Sequence, residues 1–151
     1  MRNFIDSSGR VWVVDINVAT VKRVKALAQI NLLEVVQGEL IERLSTDPVL
    51  LADVLYAVCQ PQALREQVSD EAFGQALAGD VIDRATTSLL EGLIEFFPEP
   101  RRRLLEKATA KYRQVQTKAL ELLEANLDNP QLEAKILQQL QDELGELNSS
   151  G

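Results

Sequence analysis

Few residues in this chain are of a type that does covalent or acid–base chemistry. Histidine, the commonest general base and transition-metal ligand, is absent from all 151 residues. The one cysteine, Cys59, closes the apolar run Leu55-Tyr56-Ala57-Val58, where a thiol is a small core residue rather than a thiolate nucleophile. Asp70 with Glu71, and Asp80 with Asp83, have the proximity of acid/base pairs. Their positions, however, suit helix caps and exposed first-turn residues. No glycine-rich phosphate loop, calcium loop or serine elbow occurs. The expectation is a protein that is not an enzyme, with no catalytic, cofactor-binding or metal-binding residues, working by contact with other proteins.

Composition agrees with that class. A chain of this length buries roughly 68–70% of its unfolded surface and fits one domain with a real core. With 46% hydrophobic and 26% charged residues it is an ordinary globular chain, and seven glycines and five prolines are too few for a turn-rich β-sandwich. No apolar run reaches about 18 residues, so no membrane span is expected. The N-terminus lacks the apolar core of a signal peptide, because Asp6-Ser7-Ser8-Gly9-Arg10 interrupts it. One cysteine fits a reducing compartment.

Charge is segregated along the chain. The net charge of −7 disfavours nucleic acid as a partner, since phosphate contacts need a basic face. Residues 101–118 nevertheless carry Arg101, Arg102, Arg103, Lys107, Lys111, Arg113 and Lys118 against Glu106 alone, a balance of +6. Residues 119–151 return to −6. A basic helix half in an acidic protein either pairs with its own acidic helices or docks an acidic partner. On the second reading the candidate partner-binding residues are Arg102, Arg103, Leu104, Lys107, Ala108, Lys111, Tyr112 and Val115.

The elements that must position these residues follow from local signals. Asn3–Asp6 and Arg10–Ile16 are rich in aromatic and β-branched residues and flank the turn Ser7-Ser8-Gly9, which predicts a β-hairpin with Trp12 as a packing anchor. Asn17 caps a helix through Ala28 whose Lys22, Arg23 and Lys25 face mostly solvent. Leu32–Gly38 is either a short strand or a helical turn, and a helix over Glu39–Leu44 follows. Asp47-Pro48 starts a buried central helix from Val49 to Gln60, and Pro61–Val68 is a polar connector. Ser69 caps a short helix, Gly79 breaks it, and Asp80 restarts helix toward Phe97. Leu51, Leu55, Val58, Leu89, Leu93 and Phe96 are the expected core. Pro98-Glu99-Pro100 is a firm boundary. Beyond it, Leu104, Ala108, Tyr112, Val115, Ala119 and Leu122 recur at three- and four-residue steps, close to a heptad seam. After Asn129-Pro130 a second stripe runs through Leu132, Ile136, Leu140 and Leu144.

The fold class expected is therefore mainly α: a helical body with a small N-terminal hairpin (1–98), then a pair of long amphipathic helices (99–145) and a flexible tail (146–151). The last two helices either form a hairpin or extend to embrace another subunit, and a homo-oligomer is expected from their bare apolar stripes.

Three segments carry a family resemblance, over about Phe4–Pro98. These are Phe4-Ile5-Asp6 with Gly9-Arg10 and Trp12; Asp47-Pro48 followed by Asp53-Val54-Leu55-Tyr56-Ala57-Val58; and Ser69-Asp70-Glu71 with Phe73, Gly79-Asp80 and Phe96-Phe97-Pro98. In order and pattern they resemble the tail assembly chaperones of long-tailed bacteriophages and prophages. The resemblance implies a protein that coats the helical tape-measure protein and brings tail-tube subunits to it. It also implies residence in the host bacterial cytoplasm and absence from the mature virion. In many such phages a ribosomal frameshift adds a longer C-terminal form, and the polar end Leu147–Gly151 is compatible with a linker to one or with a frayed terminus. The basic helix and the region after it lie outside the resemblance.

Overall fold

A computed structural model describes residues 1–149. Helices hold 75% of the chain, and the strands among the described residues form one two-stranded antiparallel ladder, so the protein is mainly α. β1 (Arg2–Ile5) pairs with β2 (Val11–Val14), placing Phe4 opposite Trp12. α1 (Val18–Ala28) follows, then a 3-10 helix (Leu32–Gln37), α2 (Glu39–Thr46), α3 (Pro48–Arg65), α4 (Asp70–Gln75), α5 (Asp80–Phe96), α6 (Arg101–Leu127) and α7 (Pro130–Ser149). The 3-10 helix settles the segment that reads as strand or helical turn.

Caps fix most of these boundaries. Asn17 and Thr20 form a reciprocal box at the start of α1: the Thr20 amide donates to the Asn17 side chain at 3.0 Å, and the Asn17 amide donates to the Thr20 hydroxyl at 3.2 Å. The Asp47 carboxylate accepts from the amides of Val49 and Leu50, with Pro48 at the first helical position, where its missing N–H costs nothing. Ser69 caps α4 through the Ala72 amide. Gly79, at φ 61°, makes the left-handed junction into α5 that other residues enter reluctantly.

Two compact units result, Met1–Tyr112 and residues 113 onward. In the first, α1 packs on α3, β2 lies on α3, β1 lies on α5, and α2 joins both α3 and α5. Its core contains Trp12, Leu51, Leu55, Val58, Phe73, Leu89, Leu93 and Leu105, and Trp12 meets Phe73 edge-on with ring centroids 4.8 Å apart. α5 approaches the hairpin so closely at Gly92 that a Cβ there would stand 3.2 Å from Ile16 and 3.4 Å from Val14, which explains a glycine in mid-helix. The first turns of α6 belong to this unit: Leu105 and Thr109 are buried, and Ala108 and Tyr112 pack on the core. This unit runs to Tyr112, inside α6.

Three expectations change. α3 does not stop at Gln60 but runs through Pro61 to Arg65, replacing the first half of the expected connector. Arg23 is not a solvated cation, for its guanidinium bonds two carbonyls of α3. At the end of α5 it is Phe97 that is fully buried, while Phe96 is only partly so, because the chain leaves the helix at Phe97 in extended conformation and turns that ring inward.

The second unit holds the rest of α6 together with α7. Leu122, Leu123, Leu127, Ile136, Leu137, Leu140 and Leu144 all stay about half exposed or more. Helix continues past Gly145 to Ser149, into the segment expected as a tail; the last two residues lie outside those described.

Candidate protein-binding surface

The groups singled out for chemistry are each occupied structurally. Cys59 is 2% exposed, its sulfur lies 3.6 Å from the Val13 carbonyl, and burial pushes its thiol up to about 12 despite the nearby Arg23 charge. Asp70 and Glu71 stand in the exposed first turn of α4, and Asp80 and Asp83 in that of α5. Asp83 also lines, with Arg84, Ser88 and the Asn3–Ile5 strand, an open groove of about 420 Å³. Ser88 there donates to the Asn3 carbonyl at 2.7 Å, which ties α5 to the hairpin edge. Among the described residues, no group of cysteines and carboxylates is placed to hold a metal ion.

The eight candidate partner-binding residues divide between two faces of α6. Arg102 turns back on the body: its Nε donates to the Phe97 carbonyl at 2.9 Å and its terminal nitrogen to the Glu95 carbonyl at 3.3 Å, satisfying carbonyls at the C-terminal end of α5. In this position it caps the C-terminal end of α5. Ala108 and Tyr112 pack on the core. Burial and the nearby Glu42 hold that phenol above its ordinary value. Arg103 is exposed and makes a loose pair with Glu99 at 3.9 Å.

Of the remaining four, Leu104, Lys107 and Lys111 share an exposed face of the first unit at steps of three and four residues, and Val115 is exposed in the second unit. Leu104 is 57% exposed and Val115 58%. Within the second unit, Lys118 and Leu122 follow Val115 at steps of three and four. Lys118 stands outside the eight candidates, though its place seven residues after Lys111 is a signal the sequence carries. The seam expected through Leu104, Ala108 and Tyr112 is thus offset: the face turned inward is centred on Leu105 and Thr109. None of Lys107, Lys111 and Lys118 makes an ion pair with a described residue.

A surface of this kind can bind an amphipathic helix of acidic character: apolar side chains supply area, and lysines flank it with charge. No helix of the described residues is long and apolar enough to cross a membrane. Neither the family models, nor the curated proteins, nor the solved structures hold a match to this chain.

Proposed function

We propose that this chain is a non-enzymatic tail assembly chaperone that binds a tape-measure protein in the host bacterial cytoplasm and helps recruit tail-tube subunits to it. The observation that carries the reading is the exposed face of α6 in the first unit, where Leu104 stands beside Lys107 and Lys111. The likeness of residues 4–98 to tail assembly chaperones supplies the biological setting. A tape measure is a long amphipathic rod that aggregates unless its apolar face is covered before the tube encloses it. Helix-in-groove packing against α6 covers such a face without any active site.

Co-expression tests this. The tape measure encoded beside this chain should be soluble in its presence and aggregate in its absence. Reversing charge at Lys107 and Lys111 should slow the association, and the difference should shrink at high salt as screening sets in. If the tape measure is equally soluble with and without this chain, the chaperone reading fails. A helical adaptor serving some other assembly, which shares this composition, then takes its place.

A further inference from the structure

We infer that the exposed face of α6 carrying Leu104, Lys107 and Lys111 docks into an acidic-rimmed apolar groove on a second copy of this chain, joining copies head to tail. The inference does not rest on the tape-measure reading, because both surfaces belong to this chain. Both also lie in its first unit, Met1–Tyr112.

The groove opens where the start of α3, the short α4 and the start of α5 come together. It holds about 310 Å³ and is lined by Val49, Leu51, Leu77 and Ile82, with Asp53 and Asp70 beside them. Val49 is 70% exposed, so no described residue covers this end of the groove. Both carboxylates are exposed, and neither makes an ion pair with a described residue. Apolar side chains next to unpaired charges of one sign suit a partner that brings apolar area and the opposite charge.

The exposed face of α6 answers that description. Residues 1–100 hold 15 acidic and 8 basic side chains, and the basic excess begins at Arg101. Within the first unit, Lys107 and Lys111 follow the 57%-exposed Leu104 on one side of the helix. Leu104 to Lys111 spans about 10 Å at 1.5 Å per residue. Docked, Leu104 adds an apolar side chain to Val49, Leu77 and Ile82. The lysine stems lie along the same apolar surface while their ammonium groups reach Asp53 and Asp70. α6 does not fill the groove of its own chain, since Lys107 and Lys111 pair with no described residue and Val49 stays bare. Groove on groove, or α6 face on α6 face, would set like charges together. Groove and helix face are different surfaces, so the contact is heterologous: each copy offers one of each, and copies add in a row or close into a ring.

The experiment uses the full chain alone, by size-exclusion chromatography with light scattering over a wide concentration range. The average mass of the wild type should rise with concentration and fall with added salt. The variant Lys107→Glu/Lys111→Glu and the variant Asp53→Lys/Asp70→Lys should each self-associate at least about tenfold more weakly. An equimolar mixture of the two should regain wild-type association. In it the acidic α6 of one variant meets the basic groove of the other, and the remaining two surfaces still match as in the wild type. Helix content by circular dichroism confirms that each variant folds, and the single changes Lys107→Glu and Asp53→Lys serve where a double change does not. A wild type that is monomeric at every concentration, an association indifferent to both variants, or a mixture no more associated than its components would each overturn the inference.

Discussion

Arg23 completes the helix that Pro61 interrupts. Proline has no N–H, so the carbonyl of Ala57, four residues earlier in α3, loses its normal donor. The guanidinium of Arg23 supplies one: Nε donates to the Ala57 carbonyl at 2.6 Å and a terminal nitrogen to the Val58 carbonyl at 2.8 Å. α3 therefore continues to Arg65, and α1 is tied to it by a charged fork rather than by apolar packing alone.

Removing that fork should be costly in a way that depends on Pro61. Arg23→Ala should destabilise the protein by about 1.5–3 kcal/mol, the range for hydrogen bonds to a charged group. In a Pro61→Ala background the cost should fall by about half, since the amide N–H that the substitution introduces then serves the Ala57 carbonyl. Urea unfolding of the four members of the cycle measures the coupling, and additive effects would show that Arg23 and Pro61 act independently.

Asp6 makes the hairpin turn sensitive to acid. It is 6% exposed, and its carboxylate accepts from the Ser8 amide and hydroxyl, the Arg10 amide and the Trp12 indole N–H. Burial alone raises its pKa, but these hydrogen bonds outweigh burial and hold it below the ordinary value. A carboxylate depressed in the folded state contributes stability that is full above the unfolded value near 3.9 and is lost as pH falls through the folded value. Stability should therefore decline below about pH 4. Asp6→Asn should cost on the order of 2–3 kcal/mol at pH 7 and flatten that acid limb, because an amide nitrogen cannot accept from Trp12. An unchanged acid limb in the variant would assign the pH dependence to other carboxylates.

Gln62 closes the outer edge of β2, with the Cys59 thiol on the Val13 carbonyl beside it. Gln62 Oε1 accepts from the Val13 amide at 3.0 Å, while its Nε2 donates to the Val11 carbonyl at 2.8 Å, so the amide group stands in for a third strand. Gln62→Ala should speed hydrogen exchange at the Val13 amide by at least tenfold, equivalent to about 1.4 kcal/mol, with little change at the Trp12 amide in the ladder. Equal acceleration at both positions would mean that Gln62 supports the whole hairpin rather than its edge.

Local signals make the fold legible, and contacts distant in sequence account for what they miss. Asn17, Asp47-Pro48, Ser69 and the Asn129-Pro130 break mark helix boundaries in the chain because each acts within a few residues of itself. Pro61 reads as a boundary for the same reason, and the arginine that serves the Ala57 carbonyl it leaves without a donor lies 38 positions earlier. On α6 the spacing of apolar residues shows an amphipathic helix but not which edge faces inward. Leu104 and Leu105 are adjacent and chemically identical, and the choice between them is made by the body they meet. The basic run is visible as composition, but the diversion of Arg102 to the end of α5 depends on carbonyls that no pattern of side chains reveals.

Those two adjacent leucines separate the stability of the body from its binding. Leu105 is 1% exposed and belongs to the core, whereas Leu104 lies along the bare stripe with Lys107 and Lys111. Leu105→Ala should lower unfolding stability by about 2–5 kcal/mol, as for a core leucine. Leu104→Ala should change it by no more than about 0.5 kcal/mol. The order should reverse for association. On the proposed function, Leu104→Ala removes apolar area from the contact face and should weaken binding of a tape-measure helix several-fold, chiefly through faster dissociation. Leu105→Ala, measured below its own melting temperature, should bind like the wild type. Thermal melts and surface-immobilised binding on the same three proteins supply both readouts. If Leu104→Ala binds normally while Lys107→Glu does not, recognition by this stripe is electrostatic and the apolar contact lies elsewhere on the chain.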